Sequence, residues 1–451
     1  MSIVPKREYL TLLLGDVVTF GIALWMTLAL RNLEVPSAEL FLTHITPFSI
    51  LFAAWVLIFF MAGLYARYTR PRRARLPQVI FYTQTINVIL AALFFFFIPY
   101  FGIAPKTVLA IYLVVSSVLI FSWRVFMVPF VRPKERAHAV LIGSGAEMFL
   151  LKEEINQDER YPFLFERVLD TDRAQEHEVI QQLCRIIEEE HTSILVADLS
   201  HPIMRAALPF IYTAAFGKKK FAFLDIATLF EDVFERTPLS YVRYSSVLEN
   251  LTSPPGYDFV KRGIDIMIAC VGGFLSMIFY PFAALAIKMD DGGSVFVVQE
   301  RIGQYQKPIR IVKFRSMSGN DGGNYGEHGK TKLVVTRVGR WLRLLRIDEL
   351  PQLWNLLRGD LSFVGPRPEL PALVAHYSAR IPFYDARHLV KPGLTGWAQL
   401  NHHAHPHHGA DVEETKNKLS YDLYYLKNRS FLLDVYIMFQ TARVVLFERG
   451  S

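Results

Sequence analysis

"YDFVKRGIDIMIACVGGFLSMIFYPFAALAIKMDDGGSVFVVQER", residues 257–301, contains an apolar run from about 264 to 287. How this run is read decides on which side of a membrane the rest of the chain lies. It is long enough to span, since ~20 apolar residues cross the hydrocarbon core as a helix. Yet Lys261 and Arg262 precede it, and Lys288, Arg301, Lys307 and Arg310 follow. Both flanks therefore read as cytoplasmic under the positive-inside rule. Pro281 removes a backbone donor inside the run and favours a kink. Asp265, near its start, is costly deep in lipid. The sequence predicts a helix that enters the membrane, breaks near Tyr280-Pro281 and returns on the same side. An ordinary fifth crossing is the alternative.

It is a fifth because four apolar runs come earlier, at roughly 10–30, 46–65, 79–101 and 107–130. The loop between the second and third carries Arg67, Arg70, Arg72, Arg73 and Arg75, whereas the loops on either side carry only Arg31 and Lys106. Lys6 and Arg7 precede the block; Arg132, Lys134 and Arg136 follow it. This alternation puts both ends of a four-helix transmembrane domain, residues 1–135, in the cytoplasm. Arg124, near the basic end of the fourth run, is expected to snorkel towards water. The first run is long enough to remain as an anchor. Composition agrees: 52% of residues are hydrophobic and mean hydropathy is +0.24. A net charge of +7 suits an anionic leaflet or phosphorylated substrates. No nucleic-acid partner is expected, because the basic residues flank apolar runs or phosphate-type motifs. Two cysteines, Cys184 and Cys270, make no disulfide framework, which fits a reducing compartment.

From "AHAVLIGSGAEM" onward, short β-branched runs alternate with amphipathic stretches, as in a parallel α/β domain. This central Rossmann-like domain is assigned to residues 136–250. Gly143-Ser144-Gly145 follows the first strand and Asp170 ends the second, as in a dinucleotide fingerprint. Met148, however, stands where the third glycine belongs, so the fingerprint is incomplete and a structural or regulatory role is expected.

The chemistry concentrates in "LRLLRIDELPQLWNLLRGDLSFVGPRPE", residues 342–369. If a helix starts near Asp348, Pro351 falls in its first turn, where a missing N–H does no harm. The dyad Asp348-Glu349 then sits at a helix N-terminus, which favours phosphate. Adjacent side chains do not face each other on a helix, so the two carboxylates have separate tasks. One can attack phosphorus as a covalent nucleophile; the other can hold Mg²⁺, a hard cation that binds beside phosphates. Arg343, Arg346 and Arg367 can each clamp phosphate oxygens, and Pro366 and Pro368 stiffen the chain on both sides of Arg367. The pattern reads as phosphoryl transfer. An acidic pair in a first helical turn is otherwise an ordinary helix start.

In fixed order, "KRGID", "QERIGQYQKP", "KFRSM", "RIDELPQLWNLLRGDLSFVGPRPE", "KPGLTGWAQ" and "YDLYYLKN" make residues 255–449 resemble the bacterial sugar transferase family. This is the family of polyprenyl-phosphate sugar-1-phosphate transferases, here in its large multi-pass form. The resemblance implies a multi-pass α-helical membrane protein whose C-terminal, mainly α catalytic domain, residues 255–451, carries a re-entrant helix hairpin. It implies a UDP-sugar donor, undecaprenyl phosphate as acceptor, and Mg²⁺. Asp348 corresponds to the nucleophile and Glu349 to the metal-coordinating carboxylate. Arg343 and Arg367 correspond to phosphate-binding positions, and Arg346, with Lys313 and Arg315 of "KFRSM", is expected to bind phosphate beside them. The expected location is the cytoplasmic face of the bacterial inner membrane, among its lipids, and a homodimer is compatible with a large member.

The chain departs from the family pattern in two places. Tyr280 stands before Pro281 where serine is common, which removes a hydroxyl able to satisfy freed carbonyls. His402, His403, His405, His407 and His408 crowd one loop, without the accompanying ligand spacing of a zinc site. The last apolar helix, interrupted by Asp434, either lies on the membrane or packs on the catalytic domain. Rival functions are an oxidoreductase or epimerase using the middle domain, and an inactive scaffold of polysaccharide export.

Overall fold

The computed structural model describes residues 6–62, 64–65, 76–98, 106–127, 136–158, 161–172, 176–188, 192–199, 201–215, 222–244, 253, 255–319, 333–401 and 411–447. The chain divides into two compact units, Met1–Phe234 and Glu235–Ser451.

The first unit opens with helices α1 (Lys6–Asn32), α2 (Ala38–Met61), α3 (Leu76–Phe97) and α4 (Lys106–Ser122). Their apolar stretches run 23, 23, 19 and 20 residues, so all four are long and apolar enough to cross a membrane. Their shared interior is aromatic: Phe20, Phe48, Trp55, Phe59 and Tyr112 are fully buried. Phe20 meets Trp55 edge-on at 5.4 Å, a favourable ring geometry. The Trp55 indole donates to the Asn87 carbonyl at 3.1 Å, so its polar edge is satisfied without water. Val18, Ile89 and Val114 point outward, as side chains facing lipid would.

Arg124 does not snorkel. It lies in a π-helical turn, Trp123–Met127, that continues α4, and it is only 8% exposed. Its guanidinium pairs with the fully buried Asp16 of α1, donates to the Leu64 carbonyl at 2.8 Å and stands 5.2 Å from the Tyr65 ring centre. A charge in apolar surroundings is held by an opposite charge inside the bundle more readily than by distant water. That partner lies 108 residues away, so the local flank pattern could not reveal it. The loop arginines 67, 70, 72, 73 and 75, with Arg132 and Lys134, lie outside the described residues.

The same unit continues as β1 (Ala137–Gly143), α5 (Ala146–Gln157), β2 (Phe163–Asp170), α6 (Glu176–Glu188), β3 (Thr192–Ala197), α7 (Pro202–Ala215), β4 (Ala222–Asp225) and α8 (Ile226–Phe234). The strands form one parallel sheet in the order β2-β1-β3-β4. A dinucleotide-binding half has the order 3-2-1-4; the order here is that of the flavodoxin-like type. Strand–helix alternation fixes a parallel sheet but not which neighbour each strand takes. Gly145 takes the positive φ of +84° that starts α5, and Met148 is fully buried where close helix packing would need glycine. Asp170 accepts the Asp172 amide at 3.1 Å.

In the second unit, residues 235–244 pack with the C-terminal elements. Trp397 donates to the Glu235 carbonyl at 2.7 Å, and the Thr237 amide to Ser420 at 3.0 Å. The apolar run of 264–287 forms α9 (Tyr257–Ser276) and α10 (Phe279–Asp290), bent by 59°. The break falls at Met277-Ile278, ahead of Pro281, which sits in the first turn of α10 where no helical bond is lost. Ser276 Oγ donates to the Gly273 carbonyl at 2.7 Å, so a hydroxyl serves the break from 276 although 280 lacks one. Tyr280 instead packs its ring 4.9 Å from Phe314. Phe274, Met277, Ile278 and Phe282 form an exposed apolar tip.

The charges at the start of α9 are clamps. Lys261 pairs with Asp434 at 2.6 Å. Arg262 donates to the Leu356 and Leu357 carbonyls at 2.8 and 2.7 Å. Asp265 accepts the Phe363 amide at 2.9 Å. Each ties the bent helix pair to a different element of the second unit, and Asp265 is buried in protein.

The remaining elements are β5 (Phe296–Ile302) paired antiparallel with β6 (Pro308–Phe314), β7 (Met317–Ser318) with β8 (Val334–Val335), α11 (Arg337–Leu344), α12 (Gln352–Arg358) and β9 (Ser362–Val364). Then come α13 (Pro371–Ser378), β10 (Gly393–Thr395) parallel to β9, α14 (Trp397–Asn401), α15 (Val412–Asn428) and α16 (Phe431–Phe447). The final helix, α16, packs on the domain through fully buried Ile437, and Asp434 accepts hydrogen bonds from Tyr257 and Tyr425, both 2.8 Å.

Candidate active site

Two local contacts place the dyad. Helix α11 lies so close to Ser316 that a Cβ on Gly339 would come within 2.0 Å of its carbonyl oxygen. That approach lets Arg343, in the last turn, donate from Nε to Ser316 Oγ at 3.1 Å. Arg346 then takes a left-handed φ of +56° and turns the chain into a single 3-10 turn, Ile347–Glu349. Helix α12 begins only after Pro351 and has seven residues. The dyad thus precedes the helix instead of opening it, and so short a helix supplies little dipole. Side-chain cations supply the positive field.

Asn355, only 1% exposed, fixes α12 against β6 by accepting the Val312 amide at 3.1 Å and donating to the Arg310 carbonyl at 2.7 Å. With Arg262 on its last carbonyls, α12 is held at its middle and at its C-terminal end. The strand it grips carries Lys313.

The two carboxylates occupy different environments. Burial pushes Asp348 up to about 6, the Glu349 charge adds to this, and Lys313, Arg343 and Arg346 oppose it. Burial also pushes on Glu349, but Arg367, then Lys313 and Arg346, outweigh it and hold that carboxyl below its ordinary range. Glu349 Oε1 stands 3.4 Å from Arg367 and 3.9 Å from Lys313. Lys313 is pulled down to about 8, chiefly by burial and then by the Arg367 charge. Near neutral pH this is a buried, ionisable acid beside a firmly ionised one, within a ring of cations.

The PRP segment is held in an unusual way, because Pro366 and Pro368 have no N–H to donate. Four consecutive carbonyls, 366 to 369, accept from the Gly393 amide (2.9 Å), Arg387 (3.0 Å), Arg301 (3.4 Å) and the Ile302 amide (2.9 Å). Gly365 and Gly393 allow this: a Cβ on Gly393 would meet the Gly365 nitrogen at 2.1 Å.

The structure therefore groups Asp348, Glu349, Arg343, Arg346, Arg367 and Lys313. Arg315 is committed elsewhere, pairing with Asp291 at 3.0 Å and donating to the Met317 carbonyl at 3.2 Å. Asn355 and Arg387 carry no signal in the sequence, and Arg262 and Arg301 read there only as topology flanks, because the partners of all four lie far away in the chain. The histidine cluster 402–408 lies outside the described residues. Among the described residues no three acidic, histidine or cysteine side chains group as a metal site. The carboxylate oxygens of Asp348 and Glu349 are hard donors of the kind Mg²⁺ takes beside phosphates.

The bacterial sugar transferase profile matches residues 256–448. The chain is 42% identical over 211 residues to the UDP-N-acetylgalactosamine-undecaprenyl-phosphate N-acetylgalactosaminephosphotransferase of Aeromonas hydrophila, covering 46% of this chain and 48% of that one. It is 37% identical to the uncharacterized sugar transferase EpsL of Bacillus subtilis, covering 42% of this chain and 89% of that one. With the UDP-glucose:undecaprenyl-phosphate glucose-1-phosphate transferase of Caulobacter vibrioides it shares 40% identity, over 42% of this chain and 70% of that one. The chain belongs to the bacterial sugar transferase family. The match spans about half the length of the Aeromonas relative.

Proposed function

We propose that the chain transfers a sugar-1-phosphate from a UDP-sugar to undecaprenyl phosphate and releases UMP. The observation that carries this reading is the asymmetry of the dyad: a buried Asp348 near 6 beside an ionised Glu349, ringed by Lys313, Arg343, Arg346 and Arg367. An Asp348 oxygen attacks the sugar-bearing phosphorus, and the bond to the bridging oxygen breaks as UMP leaves with the electron pair. A phosphate oxygen of undecaprenyl phosphate then attacks the same phosphorus and frees Asp348. The bond from the sugar's C1 to oxygen is never broken, so the anomeric configuration is kept. Arg367 and Lys313 bear on the leaving phosphate, and Arg343 and Arg346 bear on the transferred one. Glu349, with Asp348 beside it, would hold Mg²⁺, which neutralises phosphate charge when bound.

The bent pair α9–α10 enters the membrane and returns on the cytoplasmic side, where a soluble donor meets a lipid acceptor. Its exposed apolar tip and its 59° bend support this reading. The α/β domain is structural or regulatory. The reaction opens exopolysaccharide, capsule or O-antigen assembly at the bacterial inner membrane.

The test is UMP release by the full chain in detergent with Mg²⁺ and a panel of UDP-sugars, with and without undecaprenyl phosphate. Release that needs both a particular donor and the lipid phosphate for sustained turnover supports the reading. Folded protein that releases no UMP from any donor contradicts it and favours a scaffold.

A further inference from the structure

The hold on the Arg367 carbonyl differs from its neighbours: the donor is a buried side chain. Arg387 is 3% exposed. From one planar fork it reaches Asp422 (Nη2, 2.9 Å; Nε, 3.0 Å), the Tyr384 hydroxyl (Nη1, 2.9 Å), Glu369 (Nη1, 3.7 Å) and the Arg367 carbonyl (Nη2, 3.0 Å). Lys418 also pairs with Glu369. Two cations and two anions cancel within this cluster. Burial pushes Glu369 up, but Lys418 and then Arg387 hold it down at about 2, so its charge is permanent in the working range.

A neutral buried ion cluster contributes little stability compared with apolar packing of the same volume. What a guanidinium supplies is direction: five donors at fixed angles that an ammonium cannot reproduce. The direction here ends on the main chain of Arg367, whose guanidinium stands 3.4 Å from Glu349.

We propose that Arg387 is a positioning residue that aims Arg367 at the dyad by gripping the Arg367 carbonyl oxygen. Its kinetic consequence rests on the functional reading above. The contacts of Arg387 include neither acid of the dyad, and its effect passes through Arg367.

Arg387→Lys keeps a cation beside Asp422 and Glu369 but loses the fork, so thermal unfolding should change little. Phosphosugar loading on Asp348 falls between about 10- and 100-fold, the scale of a small misplacement of a clamping group. In an Arg367→Ala background the same substitution causes no further fall. A second readout needs no turnover: the guanidinium NMR signal of Arg367, assigned by its loss in Arg367→Ala and moved when Glu349→Gln removes its partner. In Arg387→Lys the same signal moves in the same direction, and adding Glu349→Gln moves it no further. Losses of loading that multiply in the Arg387→Lys, Arg367→Ala double variant, or an Arg367 signal unmoved by Arg387→Lys, overturn the proposal. If wild type loads no sugar from any donor, the functional reading fails while the NMR cycle still decides on Arg387. If Arg387→Lys fails to fold, Tyr384→Phe, which removes one acceptor of the same guanidinium, takes its place with the same non-additive pattern and a smaller fall.

Discussion

Arg367 Nη2 stands 3.4 Å from Glu349 Oε1, joining the PRP segment to the second carboxylate of the dyad across 18 residues of chain. The contact keeps Glu349 ionised and leaves Asp348, 8% exposed, as the acid whose charge is held back by burial. The electrostatic difference between the two acids therefore depends on where one guanidinium points.

Removing that guanidinium should cost catalysis more than fold. Arg367→Ala is expected to slow UMP release by about 100-fold, the usual scale for losing one preorganised charge-stabilising donor. Arg367→Lys restores the charge without the bidentate fork and recovers only part of the rate. Steady-state UMP release, with thermal unfolding as control, checks both.

The dyad should confer a bell-shaped pH dependence. Asp348, raised to about 6, loses its nucleophilic charge as pH falls through that value, and Lys313, lowered to about 8, loses its positive charge as pH rises through that one. The rate of loading is greatest between these limits, which belong to the coupled cluster as a whole. Lys313→Arg carries a cation that does not titrate, so the alkaline limb should disappear while the acid limb stays. Single-turnover rates across pH for both proteins test this.

The membrane block should depend on the Asp16–Arg124 pair as a pair. Asp16→Leu leaves the buried Arg124 uncompensated, at an expected cost of about 3–5 kcal/mol. Asp16→Leu with Arg124→Leu removes both charges and should recover most of it. Chemical unfolding in detergent, followed by fluorescence, distinguishes the two variants.

Re-entry of α9–α10 predicts that its two ends share one side. With Cys184 and Cys270 replaced by serine, cysteines placed at Asp258 and Ser294 should both resist an impermeant maleimide in intact cells. Both should react once the membrane is opened. Labelling of Ser294→Cys alone in intact cells would mean a fifth crossing.

The four long apolar helices were legible because length and hydropathy are local properties, and the dyad and PRP segment because they are contiguous. What escaped is long-range. Arg124 was read from its flank alone, yet Asp16, a lone acid in another apolar run, was the available signal that two opposite intramembrane charges would pair. Lys261 and Arg262 were read as topology flanks, but their targets, Asp434 and the last carbonyls of α12, exist only once the chain is folded. Arg315 carries the right charge in the right motif and still faces Asp291; a motif fixes residue type and spacing, not side-chain direction. The dyad's position ahead of α12 followed from Arg346 adopting a left-handed backbone, which a non-glycine residue seldom signals in sequence.

The central claim is that Asp348 carries the sugar phosphate. Intact-mass measurement of the full chain, mixed with Mg²⁺ and each UDP-sugar in the absence of lipid acceptor, tests it most directly. Covalent transfer through Asp348 gives a mass increase of one phosphosugar in wild type, none in Asp348→Asn, and loss of the increase on adding undecaprenyl phosphate. UMP release and lipid-linked product without any adduct, or an adduct that survives in Asp348→Asn, would contradict it.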